Sequence, residues 1–404
     1  MTQDYLVSKD SKGKIRVVNI SYDWDKDLNG YVIRRFTSQY GGKITTQPII
    51  LVDKGKGIGK ARRTVSEQAK LEYDSRVNKY MDKGYKKLSK SIDLYTKEEL
   101  DALLPEETTD SEGNLKPMLA KDFHDVATSV LEKQWWYASR KIDGVRCLMF
   151  VKDGEIHTSS RGGKNYDAST YHITCNPELK KFMLDNPSLI LDGELYIHGY
   201  SLQALSGLAR LKKETDKCDE LQYYIYDIVD TSKTFEERLE ILDHIKEELQ
   251  LDFDPNKTFE DGSLQVQMVP HVKVEGWVQI KKSHDSYVKE GFEGAVIRRP
   301  DKKYGVNKRT NDMVKVKEYK DDCFKVIDWE PGLRGVEDMV FVLETRDHKQ
   351  FKAKPFGNLQ TKKEYVENFE SEYKNHIGEC KFFNYSDENI PLQPSFKAFR
   401  FDIE

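Results

Sequence analysis

Five short segments set charged residues directly against apolar, strand-forming ones. In chain order they are Lys141-Ile-Asp-Gly-Val-Arg146, Ser160-Arg-Gly-Gly163, Leu191-Asp-Gly-Glu-Leu195, Glu293-Gly-Ala-Val-Ile-Arg298 and Val314-Lys-Val-Lys317. Burying such charges without a ligand is costly, so the pattern points to a site for something ionic. Lys141 follows the aromatic run Trp135-Trp-Tyr137 and precedes the turn pair Asp143-Gly144, which puts it at a strand end. A lysine amine attacks only once it has lost its proton. The cations Arg146, Lys315 and Lys317, with a divalent metal, are expected to lower its pKa. The same cations would hold the charge that builds on an α-phosphate under attack. Asp192, Glu194 and Glu293 are carboxylates of the kind that hold Mg²⁺ or Mn²⁺, or accept from a ribose hydroxyl. Taken singly, each segment reads blandly: Lys-x-Asp-Gly as a solvated turn, Glu194 as a hairpin residue, Tyr226 as a core aromatic, and Lys315 and Lys317, alternating with Val314 and Val316, as the wet face of a strand. Their joint occurrence in order overturns those readings.

The elements that must position these residues divide the chain into three regions. Residues 1–112 open with alternating segments (Lys14–Ile20, Gln47–Val52) and continue into a charged helical stretch from about Thr64 to Tyr85, a small α+β domain. Asp101 to Lys116, with Pro105 and a polar run, reads as a linker. Residues 113–319 alternate strands (Cys147–Val151, Leu189–Leu191, Gln222–Val229, Gly294–Arg298) with helices. The apolar stripe of Phe235–Leu251 is taken as plain core packing. Residues 320–404 hold short strands with turn signals between them, a small β-barrel or sandwich.

The segment Lys141-x-Asp-Gly-x-Arg146 resembles the first motif of the covalent nucleotidyltransferases, which comprise DNA ligases, RNA ligases and mRNA capping enzymes. The other four segments are similar to the remaining motifs of that superfamily, in order. The resemblance covers 113–404. It implies an α+β fold: an ATP-grasp-like nucleotidyltransferase domain of antiparallel sheets with helices, followed by an OB-fold barrel. It further implies that Lys141 is the adenylated nucleophile and that Arg146 is catalytic with it. Glu194 and Arg161 would contact the ribose or the nick, Glu293 would act on metal or lysine, and Lys315 and Lys317 would grip the α-phosphate. Tyr226 would stack on the base, and Lys116-Pro-Met-Leu-Ala120 would line the adenine pocket. Asp192, Glu194 and Glu293 form the expected metal set.

Three features resemble small viral ATP-dependent DNA ligases in particular. One is Ser201–Arg210 after Glu194. Another is the series Trp329-Glu-Pro-Gly332, Phe351–Lys354 and Ile377–Phe383. The third is the end Pro394-Ser-Phe-Lys-Ala-Phe-Arg400, where Arg400 would orient the pyrophosphate. That last motif departs from the family in carrying Leu392 where an arginine is usual, with Lys397 nearby. The stretch Gly332–Met339 is too short for the inserted loop that some relatives close around DNA. The implied partners are ATP with Mg²⁺ and nicked duplex DNA, in replication, repair or recombination. The alternatives are an RNA ligase or capping guanylyltransferase, or a non-catalytic nucleic-acid-binding protein of the same fold.

Net charge is only −4, so any basic surface is local. It falls in the first region. Twelve basic residues face four acidic ones between Lys54 and Lys90, and Arg62, Arg63, Arg76, Lys79 and Lys83, with Arg161 further on, are the candidate DNA contacts. Tyr40-Gly-Gly42 and the stretches Glu67–Tyr73 and Lys83–Tyr85 resemble a WGR-type nucleic-acid-end module, without the Trp-Gly-Arg signature itself. Gly55-Lys-Gly-Ile-Gly-Lys60 is not a P-loop, since its spacing is wrong and Ala61 stands where Ser or Thr belongs. Five scattered cysteines without ligand spacing argue against a structural zinc and for reduced thiols. The start is unlike a signal peptide, and no apolar run approaches the roughly 18 residues of a membrane helix. The expectation is a monomeric, cytoplasmic protein, in the host cytoplasm if viral.

Overall fold

The computed structural model describes the chain except residues 1, 11–12, 58–61, 107, 111, 261, 333–334, 387 and 403–404, together with the side chains of 335–338. The chain packs as two compact units, residues 106–317 and residues 1–105 with 318–404. Among the described residues no helix is long and apolar enough to cross a membrane.

The 106–317 unit is built on two five-stranded sheets. One runs in the order Glu155–Ser160, Val145–Lys152, Ile190–Tyr196, Gln222–Ile228, Val266–Met268. The other runs Val272–Glu275, Trp135–Lys141, Gly294–Arg298, Arg309–Val316, Leu119–Asp122. Each is antiparallel apart from one parallel pair at an edge, Gln222–Ile228 with Val266–Met268 and Arg309–Val316 with Leu119–Asp122. Their inner faces and the covering helices share one core that includes Trp136, Leu191, Tyr223, Leu242 and Val314. Strand Gln222–Ile228 is buried at every residue, including Gln222 and Asp227 among its apolar and aromatic side chains.

The first motif spans the crossing between these sheets. Lys141 ends a strand of one sheet, Ile142-Asp143-Gly144 makes the turn, and Arg146 lies at the start of a strand in the other. Gly144 is obligatory there, because a Cβ would stand 2.5 Å from the Leu195 carbonyl oxygen and 2.6 Å from Glu194 Cγ.

In residues 1–105, a sheet ordered Thr45–Thr46, Gly30–Gln39, Ile15–Asp25, Thr2–Lys9, Lys86–Lys87 is extended by Ile50–Val52 beside Gly30–Gln39. One face packs on helix Val65–Met81, whose start is fixed by a capping box between Thr64 and Glu67. Val7, Ile15 and Val17 join a second cluster with Leu88, Leu100 and Leu104. The stretch Asp101–Lys116, expected as a linker, begins inside a helix: a second capping box, Thr96 with Glu99, starts helix Lys97–Leu103, and the two units divide between residues 105 and 106. The P-loop look-alike at 55–60 lies partly outside the described residues.

Residues 318–404 form a closed barrel, Lys320–Gly332, Gly335–Glu344, Gln350–Pro355, Ser395–Phe399, Ile377–Phe382 and back to the first strand. This order, with the fifth strand inserted between the third and fourth, is the Greek-key closure of an OB-fold. Its interior is largely aromatic: Phe324, Phe341, Phe351, Phe369, Phe382 and Phe396. The short connection at 333–334 lies outside the described residues.

Candidate active site

A cavity of about 280 Å³ opens between the two sheets of the 106–317 unit. Lys141, Arg146, Arg161, Glu194, Tyr226 and Lys315 all line it, drawn from both sheets and the loop at 161. Leu119 and Ala120, from the segment expected at the adenine, line it too.

Lys141 is fixed from behind. The Glu293 backbone N–H donates to the Lys141 carbonyl at 3.0 Å, which places the Glu293 carboxylate against the Lys141 ammonium. The other carboxylate oxygen accepts from Lys317 Nζ at 2.9 Å. Glu293 and Lys317 are buried, whereas the Lys141 side chain keeps 21% exposure. Gly294 is required beside them, at φ 149° with the Val316 carbonyl in the space of any Cβ. Lys315 and Lys317 do alternate with Val314 and Val316, but the face they share is the site and not solvent.

The electrostatics correct one expectation. Burial pushes the Lys141 ammonium down, but the adjoining Glu293 carboxylate and the nearby Glu194 and Asp143 together hold the amine above its ordinary value. Burial acts against Glu293 ionising, yet Lys141 and Lys317 together keep it below the usual carboxylate range. Lys315, 3.4 Å from Asp122, is lowered by burial and by the charge of Lys317. Sequence reasoning counted the cations around Lys141 and underweighted these carboxylates.

On the opposite wall, Arg146 forks onto Asp192 through Nε at 2.7 Å and Nη2 at 2.5 Å. The Tyr304 hydroxyl donates to Asp192 Oδ2 at 2.6 Å and accepts from the Met118 backbone N–H at 2.9 Å. Both Asp192 oxygens therefore belong to Arg146 and Tyr304. Glu194 lines the cavity and accepts from the Tyr226 hydroxyl at 3.0 Å. Burial raises its pKa to about 7 against the pull of Arg146 and Lys141. Gly193 between the two acids carries no side chain because the Tyr224 carbonyl and the Tyr223 ring fill that space. The guanidinium groups of Arg146 and Arg298 each lie 5.4 Å from the Tyr226 ring centre.

Several residues of the site had no prior assignment. Arg298 closes the motif that Glu293 opens; it lines the cavity, donates to Ser139 Oγ at 3.2 Å and sits 3.5 Å from Asp227. Asp227 is held by buried Arg238 at 2.7 Å and 3.2 Å. The apolar stripe of Phe235–Glu248 thus hides a charged residue with a definite partner. Tyr304 gave no sequence signal, because a lone tyrosine in a loop has no periodicity to betray it.

The remaining candidates lie in the other unit. Arg400 pairs with Glu379 at 3.2 Å and Asp402 at 2.7 Å. Lys397 pairs with Glu379 and Asp321. On helix Val65–Met81, Arg76 is tied to Glu72, and Lys79 is exposed. Arg62, Arg63 and Lys83 lie exposed beyond the helix ends.

A strand of one sheet ending in Lys141 and turning into a strand of the second, with cations and acids of both around the cavity and an OB-type barrel in the same chain, is the architecture of a nucleotidyltransferase with an OB-fold. Residues 117–317, just under half of the chain, match the ATP dependent DNA ligase domain. It is 26% identical over 251 residues to a DNA ligase of African swine fever virus (isolate Warthog/Namibia/Wart80/1980), covering 60% of this chain and 57% of that protein's length. The chain therefore spans little more than half of that curated relative. Among solved structures, one titled "Pmar-Lig_Pre." is similar with a TM-score of 0.58 at 21% identity, covering 70% of this chain and 67% of the other. One from an analysis of Lig E DNA ligases has a TM-score of 0.54 at 21% identity, covering 70% and 99%. Both likenesses are of fold.

Proposed function

We propose that the protein is an ATP-dependent DNA ligase that seals 5′-phosphate/3′-hydroxyl nicks through a lysyl-AMP intermediate on Lys141. The carrying observation is the Lys141 amine at the edge of the cavity, backed by Glu293 and Lys317 and faced by Arg146, Arg161 and Lys315. In the first step the amine loses its proton and its nitrogen forms a bond to the α-phosphorus of ATP, while the bond to the pyrophosphate oxygen breaks. AMP then passes to the 5′-phosphate of the nick, and the 3′-hydroxyl displaces it. Such displacements depend mainly on positioning and charge stabilisation. Lys315 and Lys317 supply positive charge at the α-phosphate, and Arg146, held rigid by Asp192, supplies it from the other wall. Tyr226 forms a floor for the nucleotide and orients Glu194.

Of the three carboxylates expected to hold a divalent ion, Glu194 fits best. Asp192 is saturated by Arg146 and Tyr304, and Glu293 by two lysines, whereas Glu194 has one protein donor among the described residues. Mg²⁺ or Mn²⁺ there would neutralise phosphate charge and favour the free amine of Lys141. Residues 1–112, read as a basic WGR-like domain, would bind the duplex through Arg62, Arg63, Arg76, Lys79 and Lys83, with Arg161 in the central domain at the nick. Arg400, in 320–404, would orient the pyrophosphate.

Incubation with α-labelled ATP or GTP and Mg²⁺ tests the reading. Label from ATP should appear on the protein, be absent in Lys141→Ala, and move to nicked DNA. Label from GTP, transfer only to RNA, or labelling that survives Lys141→Ala would overturn it.

A further inference from the structure

The first region carries a second groove that the ligation chemistry does not use. Helix Val65–Met81 ends in a reversal through Gly84, at φ 83°, with the Tyr85 N–H donating to the Tyr80 carbonyl at 3.1 Å. That reversal folds Tyr85 back onto Tyr80, ring centres 5.2 Å apart and edge to face. A tight turn at Gln39–Gly42, with Gly41 at φ 68°, carries Lys43 to the opposite lip. Between them lies a groove of about 370 Å³, floored by strand residues including Thr37, Ser38 and Gln39 and rimmed by Arg16, Lys43 and Thr45.

Its chemistry is selective. The wall is two half-buried tyrosines, the floor offers hydroxyl and amide groups, and no carboxylate is among the lining residues. Arg16 is bound to Asp10 through Nε and Nη2, so that its guanidinium is held in place at the rim. Lys83 Nζ lies 6.0 Å from the Tyr80 ring centre, adding a cation beside the aromatic wall. The whole stretch Lys54–Lys90 carries twelve basic against four acidic residues. Aromatic platforms beside cations bind unpaired nucleotides: the base stacks and the phosphates meet the charges. A volume near the lower end of ligand pockets, roughly 300–1,000 Å³, takes about one nucleotide unit and excludes a duplex.

We propose that the Tyr80–Tyr85 groove binds an unpaired nucleotide of a DNA strand, such as a frayed or flapped end, beside the candidate duplex contacts, with Lys83 bordering both. The choice of DNA rests on the ligase reading; the stacking site does not. The test uses the full-length protein and a short fluorescein-labelled oligo-dT, with oligo-U and a blunt duplex in parallel. Oligo-dT should bind, and Tyr85→Leu should weaken it about five- to a hundredfold. Arg16→Gln with Lys43→Gln, both exposed, should lower the slope of log affinity against log salt by about 0.7 for each phosphate contact removed. A bromodeoxyuridine-substituted strand should photocrosslink to Tyr80 or Tyr85. All these variants should still form lysyl-AMP as the parent does. Unchanged affinity and salt slope in the Arg16/Lys43 variant would overturn the inference, even where Tyr85→Leu fails to fold. So would binding to the duplex alone, or to oligo-U alone. Loss of lysyl-AMP in the parent protein would refute the ligase reading and leave the groove to be judged by the binding data.

Discussion

Replacing Tyr304 with phenylalanine removes one oxygen atom and keeps the ring beside the Arg238 guanidinium. That oxygen is a junction. It donates to Asp192 at 2.6 Å, the acid that orients Arg146, and accepts from the Met118 N–H at 2.9 Å, at the start of the segment that lines the cavity with Leu119 and Ala120. Losing a bond to a charged acceptor costs about 1.5–3 kcal/mol, and leaving a buried N–H unsatisfied costs about 1–3 kcal/mol. The sum is roughly 3 kcal/mol after partial overlap, since the two bonds share one oxygen. For a unit of this size, about 2–4 °C per kcal/mol translates that into a melting point lower by about 6–12 °C. Calorimetry reads it directly. Self-adenylation at graded ATP should separate the two ends of the junction: a raised KM reports loosening at Met118, and a lowered kcat reports loosening of Arg146. A Tyr304→Phe protein melting within 1 °C of the parent, with unchanged kcat and KM, would refute the junction.

Other perturbations give equally definite outcomes. Glu194 has its pKa raised by burial to about 7, so its contribution to stability is full below the ordinary value and is lost as pH rises through about 7. Relative to Glu194→Gln, the parent should lose up to about 3 kcal/mol between pH 4.5 and 7.5, read as a difference in melting curves against pH. Gly144→Ala should abolish lysyl-AMP formation or soluble expression, because the added carbon meets the Leu195 carbonyl and Glu194; normal adenylation would contradict the packing described. Joint replacement of Arg62, Arg63, Lys79 and Lys83 by glutamate should weaken binding to nicked DNA at least tenfold in a gel-shift assay at moderate salt, with adenylation unchanged. Unaltered affinity would remove the helix from the DNA-binding face.

What could be read from the sequence was local and periodic. Alternation at Val314–Lys317, the Asp143-Gly144 turn and the order of five charged segments identified the residues that the cavity brings together. A charged helical run from about Thr64 to Tyr85 outlined the first helix. What could not be read depended on side chains meeting across long separations. The stripe of Phe235–Leu251, taken as plain core packing, gave no sign of Arg238, whose partner Asp227 lies eleven residues earlier on a buried strand. Tyr304 joins Met118 and Asp192 over separations of 186 and 112 residues, beyond any window of local pattern. The basicity of Lys141 was misjudged for a related reason. Counting the cations left out the carboxylates of Glu293, Glu194 and Asp143, which lie far off in sequence or were read only as turn or metal residues and together hold the amine charged.

The contact between Lys141 and Glu293 has a consequence for chemical reactivity outside the catalytic cycle. An amine stored as its ammonium form is inert to acyl donors, cyanate and aldehydes, which attack lysines through the neutral lone pair. In the absence of nucleotide, Lys141 should therefore be among the last lysines of this chain to be carbamylated or acetylated, despite facing an open cavity. On the proposed reading, the Glu293 contact would serve as a protecting group on the Lys141 amine until ATP arrives.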